Sequence, residues 1–421
     1  MTILEDKGLI PESQSGFLPG RRLQTRVLLF LEQLMSYMSN SSPVATVFVD
    51  FKSAFDQLWF AGCLGKLLRM GISKADIKWI GVWLYNRRAV VEIAGERSRW
   101  FPIKRGGPQG SCFTPILFIT YHSDMEKFLC MAMSFFFADD LAAVIAARTG
   151  IRFTEQCIDL ERRLNHFFAL LEFYAILSVQ PINYIKTQAM FSARAVSYPN
   201  PMPRISCGGY AIEWVKTYKY LGYWVTTKIG WGNMINRFRI RIRQQVSMIN
   251  SNRFTGTTSP SLRRILFSTF VLPFFTWLFV LFPLFTHAQI TDLSHYYYTS
   301  LKRIYHCLHW NDLFFSFAYN EKSLEDHVFN YWTKYLKNMA NPNSIDGMLL
   351  QEQCWLNNIR AQWQQGNLPI KCLRRSKRFV PHIDVLTRSI QWLEEYEGAG
   401  DSIFELNSEE LELFSEFSET F

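Results

Sequence analysis

Val44-Ala45-Thr46-Val47-Phe48-Val49-Asp50 decides the fold together with a second stretch, Ser134-Phe135-Phe136-Phe137-Ala138-Asp139-Asp140-Leu141-Ala142-Ala143-Val144-Ile145-Ala146-Ala147. The first is almost continuously apolar and β-branched, the pattern of a strand buried on both faces, and it ends on an acid. The second is two short apolar runs separated only by Asp139 and Asp140, which predicts a β-hairpin with two acids at its tip. A strand end and a hairpin tip of one sheet can meet although 89 residues separate Asp50 from Asp139. Carboxylates brought together repel one another unless cations lie between them. Mg²⁺ favours hard oxygen ligands, one or two protein carboxylates plus substrate phosphate. Two such ions can clamp the attacking and leaving oxygens of an in-line phosphoryl transfer. Taken singly, Asp-Asp in a hairpin is also ordinary turn chemistry.

Outward from these strands, residues 11–22 form a turn-rich loop ending in Arg21 and Arg22, and residues 23–39 have a helical pattern broken by Ser41, Ser42 and Pro43. Ala54, Phe55, Leu58, Trp59, Leu64, Leu67 and Leu68 recur at helical spacing up to Gly71. Val90–Ala94, followed by Gly95, predicts a hairpin arm. Gly106-Gly107-Pro108-Gln109-Gly110 is a tight loop with an apolar helix after it through Ile116–Tyr121. Residues 153–176 form an amphipathic helix, Tyr218–Val225 a hairpin strand, and the pattern is helical from 232 onward.

Val47-Phe48-Val49-Asp50-Phe51-Lys52-Ser53-Ala54-Phe55-Asp56 resembles motif A of reverse transcriptases. Gly106–Ser111 with Thr114–Phe118 resembles motif B, Phe137–Asp140 motif C, Ser178–Thr187 motif D and Tyr220-Leu221-Gly222 motif E, the primer grip. Upstream, Gln14-x-Gly16-Phe17-x-x-Gly20-Arg21 is similar to a fingers motif of the same family, in its non-LTR (LINE-type) retrotransposon form. The resemblance implies an α+β fold: a right-hand polymerase palm of antiparallel sheet backed by helices, partial fingers, a helical thumb and a helical C-terminal region. It implies RNA-directed DNA polymerisation with two Mg²⁺ ions, or Mn²⁺ in their place, on an RNA template with a DNA primer and deoxynucleoside triphosphates. Asp50, Asp139 and the Phe51 carbonyl then face the metals, with Asp140 tuning their charge. Phe55 is either the steric gate against a ribose 2′-hydroxyl or a core aromatic. Pro108, Gln109 and Gly110 shape the floor under the incoming base pair, or form a simple turn. Lys186 is a general acid for the leaving pyrophosphate or a solvated lysine, and Arg21 touches template or triphosphate or is a surface charge. Tyr220, Leu221 and Gly222 hold the primer. Arg237, Arg239 and Arg241 grip duplex phosphates from the thumb, or solubilise a helix face.

Composition agrees with a folded, polyanion-binding chain. Hydrophobic residues make up 48% and charged residues 19% of 421, which excludes a disordered chain. The ten acids after Leu393, unaccompanied by Lys or Arg, leave residues 1–393 at +19. The 8 Cys show no Cys-x-x-Cys pair, so no disulfide frame or zinc ribbon is suggested, and His306-Cys307-x-His309 lacks a second ligand pair. Met1–Ile10 has no apolar signal core, which favours an intracellular site, nucleus or cytoplasm. Uncharged residues 265–286 are long enough to cross a bilayer, but Pro273 and Pro283 favour broken helices packed in a domain over a membrane segment. The expected domains are partial fingers 1–43, palm with fingers insertion 44–228, thumb or connection 229–310, a helical region of unread role 311–393 and an acidic tail 394–421. The family's basic fingers segment, expected before Gln14, is not seen. This leads to the expectation of an N-terminally truncated element: either a polymerase of doubtful activity or an inactive remnant that still binds nucleic acid.

Overall fold

The computed structural model describes residues 8–18, 21–39, 42–193, 198–251 and 259–340. Gly20, the basic run from Lys371 to Arg378 and the acidic tail lie outside the described residues. The chain divides into two compact units, Met1–Trp231 and Gly232–Phe421.

The first unit is built on a five-stranded sheet in the order Glu213–Trp214, Gln188–Ser192, Val44–Val49, Asp140–Ala146, Met133–Phe137. All neighbours pair antiparallel except the outermost, where Glu213–Trp214 runs parallel to Gln188–Ser192. The expected antiparallel sheet is present, with one short parallel strand added at its edge. Every residue of Val44–Val49 is buried, because both faces of the sheet are covered. On one face Ala45, Val47 and Val49 join Leu160, Leu164, Phe167, Phe168 and Leu171 of the helix Phe153–Leu177. On the other, Phe48 and Phe135 meet Phe30 of the helix Leu23–Ser39. Burying each of the larger of these side chains contributes about 1.5–3 kcal/mol, so the strand is held from both faces.

Three predicted elements come out differently. Ala54–Leu68 is not one helix but a 3-10 turn, Ala54–Gln57, followed by the helix Phe60–Arg69. The carbonyls of Phe55 and Leu58, which a continuous helix would use, instead accept from Gly107 N (3.1 Å) and Gly106 N (3.0 Å). Tyr218–Val225 is two strands, Thr217–Tyr220 and Tyr223–Thr226, turning at Leu221 (φ 46°) and Gly222 (φ 87°), the left-handed pair a tight hairpin requires. The arm near Val90 holds two short ladders, Arg88–Ala89 with Phe101–Pro102 and Glu92–Ile93 with Glu96–Arg97.

The second unit is helical over its described residues: Gly232–Ile249, Pro260–Phe270, Leu272–Thr276, His287–Tyr305, Asp312–Tyr319 and Leu324–Ala340. The apolar stretch 265–286 breaks at Val271, before Pro273, and again into a 3-10 turn at Phe279–Leu284. Val271, Phe275, Leu278, Val280, Leu281 and Phe282 are fully buried, and Trp332 donates its ring N–H to the Phe279 carbonyl at 2.6 Å. Among the described residues no helix is long and apolar enough to cross a membrane.

Candidate active site

The register of the two central strands carries the acids to one end of the sheet. Val49 faces Leu141, so the next step of the ladder sets Asp50 opposite Asp140. Phe137 pairs with Asp140 across a turn whose first residue, Ala138, is left-handed at φ 60°. Asp139 therefore occupies the turn, and Asp140 opens the return strand. Their electrostatics reflect the gathering. Removal from water, then the charges of Asp139 and Asp50, push the Asp140 carboxyl up to about 6. Burial, and next among the raising causes the Asp50 charge, also lift that of Asp139, against a backbone hydrogen bond that lowers it. Asp140 keeps an exposed edge, so water screens part of this repulsion.

Among the described residues no three His, Cys, Asp or Glu side chains are disposed to hold a metal ion between them. The donor chemistry nevertheless fits a hard cation. Mutually destabilised carboxylates gain from a positive charge, and Mg²⁺ takes only one or two of them, leaving its other positions to phosphate and water.

Gln14 has a contact that its place in a motif did not disclose. Its side-chain oxygen accepts from Ala138 N at 2.9 Å and Gly16 N at 2.7 Å, and its Nε2 donates to the Ala138 carbonyl at 3.2 Å. Residues 13–15 add a parallel bridge to Phe136, with bonds of 2.8 Å and 3.0 Å. Gly16 is there because a Cβ would lie 2.2 Å from Ala138 N. The Gln14-x-Gly16 segment thus grips both backbone groups of the residue before Asp139. Arg26, buried, holds this segment through Ser15 Oγ (2.6 Å) and the Glu12 carbonyl (2.6 Å). Arg21 donates to the carbonyls of Pro11 and Glu12 at 3.3 Å and to that of Gln14. Arg21 thus ties its own loop together.

Behind Asp50, the segment after helix Phe153–Leu177 docks on residues 50–52. Phe51 bridges Ile182, Asn183 N donates to the Asp50 carbonyl at 2.8 Å, and Asp50 N donates to Thr187 Oγ1 at 3.2 Å. Phe51 is buried, and Lys186 is exposed in the turn between Asn183 and Thr187. Gly106 and Gly107 lie hard against Asp56 and Thr114, where a Cβ would come within 2.7 Å and 2.1 Å. This close approach fastens the Pro108-Gln109-Gly110 loop to the turn that bears Phe55. Gln109 donates to Asp56 at 3.1 Å, and Thr114 Oγ1 donates to the Pro108 carbonyl at 2.9 Å. Phe55 is half-buried, edge-on to Phe17 at 6.2 Å and tilted against Phe118 at 4.5 Å.

The hairpin with Tyr220 packs beside the acids. Tyr220 is 3% exposed and donates its hydroxyl to the Phe135 carbonyl at 3.0 Å. Tyr220 thus anchors the hairpin, while Leu221 and Gly222 at its tip are half-open. Tyr218, not singled out from sequence, stacks on Phe48 at 3.8 Å, and burial followed by the charges of Asp140 and Asp50 pushes its hydroxyl up to about 12. The period-two pair Tyr218 and Tyr220 was the available signal. In the second unit, Arg239 pairs with Asp292 and lies over the Tyr296 ring at 5.4 Å, both contacts within that unit. Arg237 and Arg241 are exposed on the same helix. His306 ends its helix at φ 62°, and Cys307 is buried with its thiol on the Tyr305 carbonyl, so they do not form a ligand set.

A sheet that delivers acids from a buried strand and an adjoining hairpin turn to one end, with a glycine loop fastened opposite, defines a palm of the polymerase kind. Residues 1–225 match the family described as reverse transcriptase (RNA-dependent DNA polymerase), and the chain belongs to that family. It is 27% identical over 256 residues to the RNA-directed DNA polymerase from mobile element jockey of Drosophila melanogaster, covering 57% of this chain and 26% of that protein. It is 26% identical over 152 residues to the probable RNA-directed DNA polymerase from transposon X-element of the same organism, covering 35% of this chain and 17% of that protein. The aligned parts therefore span about a quarter or less of these relatives. The structure of apo telomerase from Candida tropicalis is similar at 12% identity and a TM-score of 0.39, covering 83% of this chain and 60% of that chain.

Proposed function

We propose that the chain is an RNA-directed DNA polymerase that extends a DNA primer along an RNA template with deoxynucleoside triphosphates. The observation that carries the reading is the gathering of Asp50, Asp139 and Asp140 at one end of the central strand pair, where their charges act on one another. Asp50, Asp139 and the Phe51 carbonyl would hold two Mg²⁺ ions, or Mn²⁺, with Asp140 adjusting the charge. When bound, the ions supply Lewis-acid neutralisation of phosphate charge and activation of the primer hydroxyl. Phe55, braced by Phe17 and Phe118, gives a wall that a ribose 2′-hydroxyl would meet. Pro108, Gln109 and Gly110 support the incoming base pair, and the Leu221-Gly222 tip supports the primer end. Lys186 delivers a proton to the leaving pyrophosphate. Arg237 and Arg241 contact phosphates without sequence choice. In this reading residues 1–43 are partial fingers, 44–228 the palm and 229–310 the thumb.

Primer extension on an RNA template with Mg²⁺ tests the proposal. Extension by the chain that vanishes in Asp139→Asn is the expected result. Absence of extension, together with salt-sensitive duplex binding, would replace it with a nucleic-acid-binding remnant.

A further inference from the structure

Between the helix Lys74–Tyr85 and the Gly106 loop the first unit extends an arm of two short ladders closed by a turn at Ala94 (φ 53°) and Gly95 (φ 91°). Every residue from Val91 to Pro102 is exposed. They include four large apolar side chains: Val91 at 49%, Ile93 at 71%, Trp100 at 65% and Phe101 at 44%. A two-stranded hairpin with no face packed on a core is marginal in water, and contiguous exposed apolar groups mark an interaction surface. The charges on the arm identify the partner. Residues 87–105 carry Arg87, Arg88, Arg97, Arg99, Lys104 and Arg105 against Glu92 and Glu96, a surplus of four positive charges. Glu92 is already paired with Arg97 at 2.7 Å.

Flat rings beside cations on an extended ribbon are the chemistry that holds unpaired nucleotides. Bases stack on the rings while phosphates meet the cations. A duplex keeps its bases stacked on each other and has no use for Trp100 and Phe101. We infer that this arm binds single-stranded nucleic acid, the unpaired part of the template. The arm's root is tied to the candidate site: Arg87 donates to the Gly106 carbonyl, and Ile103 N donates to the Arg87 carbonyl at 3.0 Å. A strand held on the arm is therefore coupled to the loop carrying Pro108, Gln109 and Gly110. The word template rests on the polymerase reading; the binding of single strands does not.

The test uses the full chain with Asp139→Asn, so that no extension occurs, and a short fluorescein-labelled single-stranded RNA. Trp100→Ala with Phe101→Ala should weaken binding by roughly ten-fold or more, while Trp100→Tyr retains it. Arg99→Ala with Lys104→Ala should reduce the slope of log affinity against log salt by about 1.4. Blunt duplex should bind all variants alike. All these side chains are exposed, and unchanged melting confirms that each variant folds. Single-strand affinity and salt slope unchanged in both double variants would overturn the inference and leave the polymerase reading standing. Loss of a dimer in Trp100→Ala with Phe101→Ala, with RNA binding intact, would also overturn it and make the arm a protein interface.

Discussion

Replacing Gln14 with Ala should disable the site without touching an acid. The side chain, 5% exposed, supplies the partners of both backbone groups of Ala138, itself 8% exposed. A buried backbone group left without a partner costs about 1–3 kcal/mol, and Ala138 would present one donor and one acceptor. A water entering the small cavity that Gln14, Ala138 and Asp139 line would return part of that, leaving about 2 kcal/mol against the left-handed turn. At about 1.4 kcal/mol per factor of ten, kcat should fall roughly 30-fold. Asp139 would be less well held, so the Mg²⁺ concentration for half-maximal rate should rise as well. A general loosening of the fold would lower the melting temperature without moving that Mg²⁺ midpoint. Gln14→Glu makes a sharper case: it keeps an acceptor for Ala138 N but sets a carboxylate oxygen against the Ala138 carbonyl. Lower pH should narrow the gap between Gln14→Glu and the parent measured at the same pH and saturating Mg²⁺, because the protonated acid restores a donor. Single-turnover primer extension across a Mg²⁺ series measures all of this. A Gln14→Ala rate within two-fold of the parent, with an unshifted midpoint, would refute the reasoning.

The Asp140 carboxyl, raised to about 6, sets a pH dependence whose sign is defined. As pH falls through about 6 a proton competes with the cation, so the Mg²⁺ midpoint should rise, and Asp140→Asn should flatten that response. For the metal-free fold the sign reverses: this group's contribution is full below its ordinary value near 3.8 and is lost as pH rises through about 6, which melting curves without metal would register. Phe55→Ala should admit ribonucleotides, read as the ratio of ribo- to deoxynucleotide incorporation; an unchanged ratio would leave Phe55 as core packing. Arg241→Ala should weaken duplex binding with a shallower salt slope and little change in melting, whereas Arg239→Ala should lower the melting temperature through loss of the Asp292 and Tyr296 contacts.

The central strand, its acid and the hairpin acids were legible in sequence because local pattern alone dictates them. A run this nearly continuous in apolar and β-branched residues has its stable place between two covered faces, and Val44–Val49 is found there. The long helix Phe153–Leu177 and the loop at Gly106 followed for the same reason, from periodicity and from glycine. What pattern could not supply was the partner of each group across the chain. Tyr220 and Arg239 look like surface side chains by type, yet the Phe135 carbonyl and Asp292 claim them. Ala54–Leu68 scans as one helix until two glycine amides about 50 positions away take its carbonyls. Gln14 opens a motif in the sequence, but its partner is set only when chain 124 positions away folds back to bring Ala138 against it. Sequence specifies which residues have the chemistry to act, since residue type and spacing are local properties. Which of those residues are free to act, and which hold the others still, depends on contacts between distant segments that exist only once the sheet has closed.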